Sequence, residues 1–244
     1  MTMTDRYISA SETVNRVSLE VISQRSPDVF ADTNPTYVQL RTLLTTCGQE
    51  LVEAYEWEYL RREHQITTTA LDSGEYELPE DFAYMIDQTG WERMNRNPMG
   101  GPLSPQQWAY LEGRNLVDST IYVSFRIMQN KFNVFPNDPV IEGLDIHFEY
   151  ISRNWVQDGS GFNDKVQANG DIILFNPVMM AQYLRFRFLS SKGFDSTEAR
   201  QSFVDTYNRV TGREKSAPIL NAGYGSARVP FLSYRNVPDS GYGF

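Results

Sequence analysis

Cysteine is almost missing from this chain. Cys47 is the only one in 244 residues, so no intrachain disulfide can form, and the composition fits a reducing compartment. Histidine is nearly as scarce. His64 follows a charged stretch and His147 sits in an alternating one, and neither has a second ligand at metal spacing. No apolar run approaches the ~20 residues that a membrane helix needs. The opening residues, MTMTDRY, lack the apolar core of a signal peptide. The expectation is a protein made and assembled in a cytoplasm. Basic residues are outnumbered, 22 Lys and Arg against 31 Asp and Glu, for a net charge of −9. A protein that grips nucleic acid needs a basic footprint, whereas an acidic surface lets DNA slide past.

Reaction motifs are missing as well. Gly159-Ser160-Gly161 lacks the frame of a nucleophile elbow. GYGSAR at 223–228 lacks the Gly-Lys-Ser/Thr ending of a phosphate loop. Cys47 falls on the apolar stripe of a helix and reads as a small buried hydrophobe. Carboxylates are plentiful, and a glycosidase needs only two. The densest group is Glu50, Glu53, Glu56, Glu58 and Glu63. A solvated face explains it, with Glu58 and Arg62 paired at i,i+4. No cofactor, metal site or catalytic residue is expected.

What is present suits one large domain or two small ones, with a sizeable core. Aromatics reach 13%, which fits either an interface to spare or an aromatic-rich core. Ser11 to Arg25 has a helical stripe of Val14, Val17, Val21 and Ile22. Asn34-Pro35 caps a second helix, whose stripe of Leu40, Leu43, Leu44, Cys47, Leu51, Ala54 and Tyr55 is broken only by Gly48. That helix is expected to reach Glu63, roughly 29 residues or ~43 Å. Short strands are expected in ITTTA and EYELP, one or two helical turns over Pro79–Ile86, and a strand alternation from Thr120 to Phe135 and again at Ile146, Phe148 and Tyr150. Ser104-Pro105-Gln106-Gln107 reads as a capping box. Asn176-Pro177 and Asp195-Ser196-Thr197-Glu198 start two more helices, the first stopped by Gly193.

One connector stands out. Gly90 to Trp108, GWERMNRNPMGGPLSPQQW, sets two tryptophans around Pro, Gly and Arg. Trp91 and Trp108 either pin it to the β region or are ordinary core, with Pro98, Gly100, Gly101 and Pro102 fixing its path. Arg93 and Arg96 are candidates to reach the carboxylates of a neighbouring subunit. After Asn221 no periodicity survives. The tail carries aromatics at intervals and too little apolar content to fold alone, the profile of an arm that orders on binding.

Several segments taken in order resemble one family: NPTYVQLRTLLTTCGQELVEAYEW (34–57), TTALDSGEYELPEDFAYMIDQTGWERMNRNPMGGPLSPQQW (68–108), FEYISRNWV (148–156) and ANGDIILFNPVMMAQYLRFRFLSSKGFDSTEARQSFVDTYN (168–208). Over residues 10–216 the chain resembles the head-to-tail adaptors of short-tailed bacteriophages, also called tail accessory factors or tail tubular proteins. The family pattern often carries an acidic residue where this chain has Asn169, a change that reads as surface drift.

The resemblance implies an α+β protein: a bundle of long N- and C-terminal helices, an inserted small antiparallel β region and an extended C-terminal arm. The matching divisions are 1–64, 65–175, 176–216 and 217–244. It also implies a virion part at the head–tail junction and no enzyme. Family members form a ring, usually of twelve copies, beneath the portal ring. They join the capsid to the tail nozzle and extend the channel through which double-stranded DNA passes without specific binding. The arm is the implied portal contact, through Tyr224, Arg228, Phe231, Tyr234, Arg235, Tyr242 and Phe244. Trp91, Arg93, Arg96 and Trp108 are the candidate subunit interface. The alternative from another class is a tail-associated peptidoglycan hydrolase working with two carboxylates.

Overall fold

The computed structural model describes residues 6–69, 73–114, 123–137 and 141–214. Local signals place its helices. Helix α1 (Ala10–Ile22) starts where the Ser9 hydroxyl accepts the Glu12 N–H. Helix α2 (Pro35–Ala54) starts where the Asn34 side chain accepts the Thr36 N–H, with Pro35 in the first helical position, where its missing N–H costs nothing. Leu40, Leu44, Cys47 and Leu51 form the buried stripe of α2.

The expected run of α2 to Glu63 does not occur. The helix ends at Ala54 and Tyr55 is extended. Trp57 is fully buried, and its indole N–H donates to the Leu51 carbonyl at 2.6 Å, satisfying one of the carbonyls a helix end leaves open. A 3-10 turn at Glu58–Leu60 then feeds strand β1 (Arg61–Thr67). Glu58 therefore pairs with Arg61, at 3.4 Å, and Arg62 donates instead to the Tyr59 and Arg61 carbonyls.

Strand β2 (Glu75–Glu77) follows, then β3 (Phe82–Met85) where helical turns were expected. Cross-strand partners override the local pattern there. The Asp81 carboxylate accepts the Tyr150 and Ser152 hydroxyls at 2.8 and 2.6 Å, fixing the entry of β3 beside β8 (Asp145–Ser152). Strands β4 (Trp91–Glu92) and β5 (Asn97–Pro98) form a short hairpin. Helix α3 (Pro105–Arg114) has a reciprocal capping box: Gln107 N–H donates to Ser104 Oγ at 3.3 Å, and Ser104 N–H to Gln107 Oε1 at 2.9 Å. The alternation up to Phe135 is not one strand. It folds into a hairpin of β6 (Ser124–Met128) and β7 (Lys131–Phe135) around Gln129 and Asn130, both with positive φ, the turn whose twist suits paired strands.

The chain finishes with β9 (Val156–Gln157), β10 (Phe162–Asn163), β11 (Ile172–Ile173), α4 (Pro177–Ser191) and α5 (Thr197–Glu214). Asn176 caps α4 by accepting the Val178 and Met179 N–H groups. All three sheets are antiparallel. In the largest, β8 lies between β1 on one edge and β4 and β3 on the other, with β5 outside β4. The others run β10-β9-β11 and β2-β7-β6.

Two cores result. One gathers α1, α2, α4 and the Trp57, Trp155 and Phe175 rings. The other gathers Phe125, Phe132, Phe148 and Tyr150 between the sheets. The class is α+β, but the expected bundle of long N- and C-terminal helices is not what forms. The described helices have 13, 20, 10, 15 and 18 residues, and strands come between them along the chain. Helix α2, the longest, is cut where Trp57 must be buried.

Candidate interaction surface

Strand alternation on β4 turns Trp91 outward and Glu92 inward. Trp91 is 42% exposed while Glu92 is 1% exposed. The buried Glu92 carboxylate accepts the Met94 and Asn95 backbone N–H groups at 2.7 and 2.8 Å, so each oxygen of an otherwise costly buried anion has a donor. This fixes the turn between β4 and β5, in which Arg96 has φ +59. Met94, 63% exposed, stands at its tip beside Gly143, two residues from the exposed Ile141.

The hairpin is mounted on β8 by pairing of Trp91 with His147 and Glu92 with Ile146, and by the Arg93 N–H to the Asp145 carbonyl at 2.8 Å. A cleft of about 240 Å³ lies beside it, lined by Glu63, Thr89, Trp91, Arg93, His147 and Glu149 among others. Arg93 bonds Glu63 within the same chain. The same Glu63 oxygen lies 3.1 Å from His147 Nδ1, and Asp145 lies 3.0 Å from His147 Nε2. The Asp145 carboxyl is held below the usual carboxylate range, first by the Gln65 amide that donates to it at 2.7 Å and then by His147.

The four candidate interface residues thus separate. Trp91 and Arg93 share the cleft, and Arg96 is exposed on the turn. Arg93 is already engaged by Glu63, whereas Arg96 has no ion-pair partner among the described residues. Trp108 is buried. Its ring meets Phe135 edge-on, and its N–H donates to Glu112 at 2.8 Å, so it is core. The connector between them lies along β6. Gly100 and Leu103 bond the backbone of Val123 and Phe125, and a Cβ on Gly101 would fall 2.5 Å from the Phe125 carbonyl. Portal-arm candidates Tyr224, Arg228, Phe231, Tyr234, Arg235, Tyr242 and Phe244 lie outside the described residues.

Sequence reading missed Glu92 and Asp145, and it named Glu63 and His147 without placing them together. Glu92 had one available signal: a charged residue at an inward position of a short alternation beside a tryptophan. His64 has a packing role. Its ring meets Phe148 edge-on at 5.4 Å, and burial lowers its pKa. Burial likewise pushes the Cys47 thiol far up, so it is not a nucleophile at neutral pH. Of the acidic group around α2, Glu50 bonds Tyr183 and pairs with Arg187 at 3.0 Å, Glu58 and Glu63 hold Arg61 and Arg93, and Glu53 and Glu56 are exposed. Among the described residues no cluster of His, Cys, Asp and Glu could hold a metal ion, and no helix is long and apolar enough to cross a membrane.

No protein-family model matches this chain, and comparison with curated proteins finds no significant match.

Proposed function

We propose that this protein is a structural part of the virion of a short-tailed bacteriophage: a head-to-tail adaptor that assembles as a ring, probed first as twelve copies, beneath the portal. It links the capsid to the tail nozzle and continues the DNA channel. It assembles in the host cytoplasm and works at the head–tail junction, without catalytic turnover.

The observation that carries this reading is the β4–β5 hairpin. It holds an exposed tryptophan and methionine on a turn fixed by a buried carboxylate, with Arg96, which has no ion-pair partner among the described residues, beside them. Exposed aromatic, Met and Arg side chains on a rigid mount are the composition of a contact surface. The segment-by-segment resemblance supplies the kind of contact, and the charge of −9 suits a channel wall past which DNA slides.

Light scattering after size exclusion tests it, on the protein alone and mixed with the portal ring of the same phage. The expected result is a 28.1 kDa monomer alone and a ring-sized complex on mixing. Trp91→Ala and Arg96→Glu should each weaken that complex and leave the melting temperature of the monomer unchanged. Absence of any complex across salt conditions sinks the proposal, and a peptidoglycan-clearing assay then decides for or against the hydrolase.

A further inference from the structure

Two buried polar atoms line one small cavity, and neither has a hydrogen-bond partner among the described residues. They are the Tyr59 hydroxyl and Oε2 of Glu214. The cavity is largely enclosed and has a volume of about 50 Å³, with Arg6, Tyr7, Asn176 and Val210 among its other walls. It joins four parts of the chain: the segment before α1, the 3-10 turn before β1, the start of α4 and the last turn of α5.

Both atoms are held where they are. The Tyr59 ring is packed by Trp57 and Phe175, each with its centroid 5.9 Å away, and by Tyr7 at 6.1 Å. Its hydroxyl therefore cannot swing to another acceptor. Glu214 closes α5. The Glu58 backbone N–H favours its carboxylate form, but burial outweighs that contact and raises the pKa. Burial also raises the Tyr59 pKa well above its ordinary value. In native proteins such atoms are paired directly or through ordered water, because leaving them unpaired is costly. These two are not paired with each other.

The lining narrows what can pair them. Arg6 on the wall opposes a cation, and Glu214 opposes an anion. The cavity of about 50 Å³ lies far below the roughly 300–1,000 Å³ of an organic-ligand pocket. It exceeds the roughly 10–15 Å³ that one water needs. Water both donates and accepts, so it matches a tyrosine hydroxyl on one side and a carboxyl in either protonation state on the other.

We infer that the cavity is a structural water site: bound water accepts a hydrogen bond from the Tyr59 hydroxyl, donates one to Glu214 Oε2, and so ties the end of α5 to the 3-10 turn that follows α2. Such a bridge is nearly as favourable in enthalpy as a direct hydrogen bond. The site belongs to the single chain and stands apart from the assembly proposed above.

A crystal structure of the full chain, at a resolution that shows ordered water, is the first test. The expected result is a water oxygen within hydrogen-bond distance of both Tyr59 Oη and Glu214 Oε2. In solution, a water NOE at the Glu58 N–H and relaxation dispersion of water oxygen should both report a long-lived molecule. Tyr59→Phe should shorten its residence or abolish the signal. An empty cavity overturns the inference, as does a direct Tyr59–Glu214 bond that closes it. A long-lived water unaffected by Tyr59→Phe overturns the bridge. If that variant fails to fold, the wild-type density decides.

Discussion

Asn169 bridges two segments far apart in sequence. Its amide donates to Asp28 Oδ1 at 2.5 Å, and its oxygen accepts the Phe30 N–H at 3.3 Å. Asn169 is therefore more than a surface residue, since an acidic residue there would face Asp28 with like charge. The Asp28 carboxyl is held below its usual range, first by this amide and then by the Ala31 N–H. A depressed carboxylate stabilises the fold above its unfolded pKa, and that contribution is lost as pH falls through the folded value. Asn169→Asp should raise the Asp28 pKa and move the acid end of the stability profile to higher pH, which carbon NMR of the carboxylates and urea titration by pH would read. Glu92 is the other decisive residue. Glu92→Ala removes the acceptor of the Met94 and Asn95 N–H groups, and each lost hydrogen bond to a charged group is worth about 1.5–3 kcal/mol at most, less where water replaces it. Chemical denaturation should show that loss, with Glu92→Gln intermediate because one oxygen survives.

At the scale of elements, helix starts were legible in the sequence, and ends only where a local signal such as Gly193 sets them. Asn34-Pro35, Asn176-Pro177 and the Ser104–Gln107 box act within one turn, so their meaning is local, and each opens a helix as its residues require. Gly193 has φ +74 just past α4, the left-handed conformation a helix-ending glycine supplies. The end of α2 depends instead on burying Trp57, and β3 depends on a partner more than sixty residues away. Gly48 shows the same division. It is visible as the one break in the α2 stripe, but its reason is the Trp155 ring, which a Cβ would meet at 2.1 Å. Alanine gains about 1 kcal/mol of helix propensity over glycine, whereas overpacking costs about 1–3 kcal/mol. With a fully buried indole in the way, the clash prevails. Gly48→Ala should destabilise the protein in urea, and less so in a Trp155→Phe background, the coupling expected of touching residues.

For the whole molecule, charge and assembly oppose each other. Copies carrying −9 each repel at low ionic strength, and the Debye length shortens to about 8 Å near 0.15 M salt. Ring formation with the portal should therefore strengthen as salt rises from low values. Weakening would mean that cation contacts such as Arg96 outweigh the repulsion. Composition, class and most helix starts follow from the sequence alone, because charge counts, caps and alternation act over a few residues. The tertiary structure decided where α2 stops and that β8 serves as the shared strand. It also turned Trp108 inward and Trp91 outward, and set His147 between two carboxylates. Each of those outcomes depends on which distant surface a side chain meets, and burial of a few large rings and one paired anion outweighs the propensities of the residues around them.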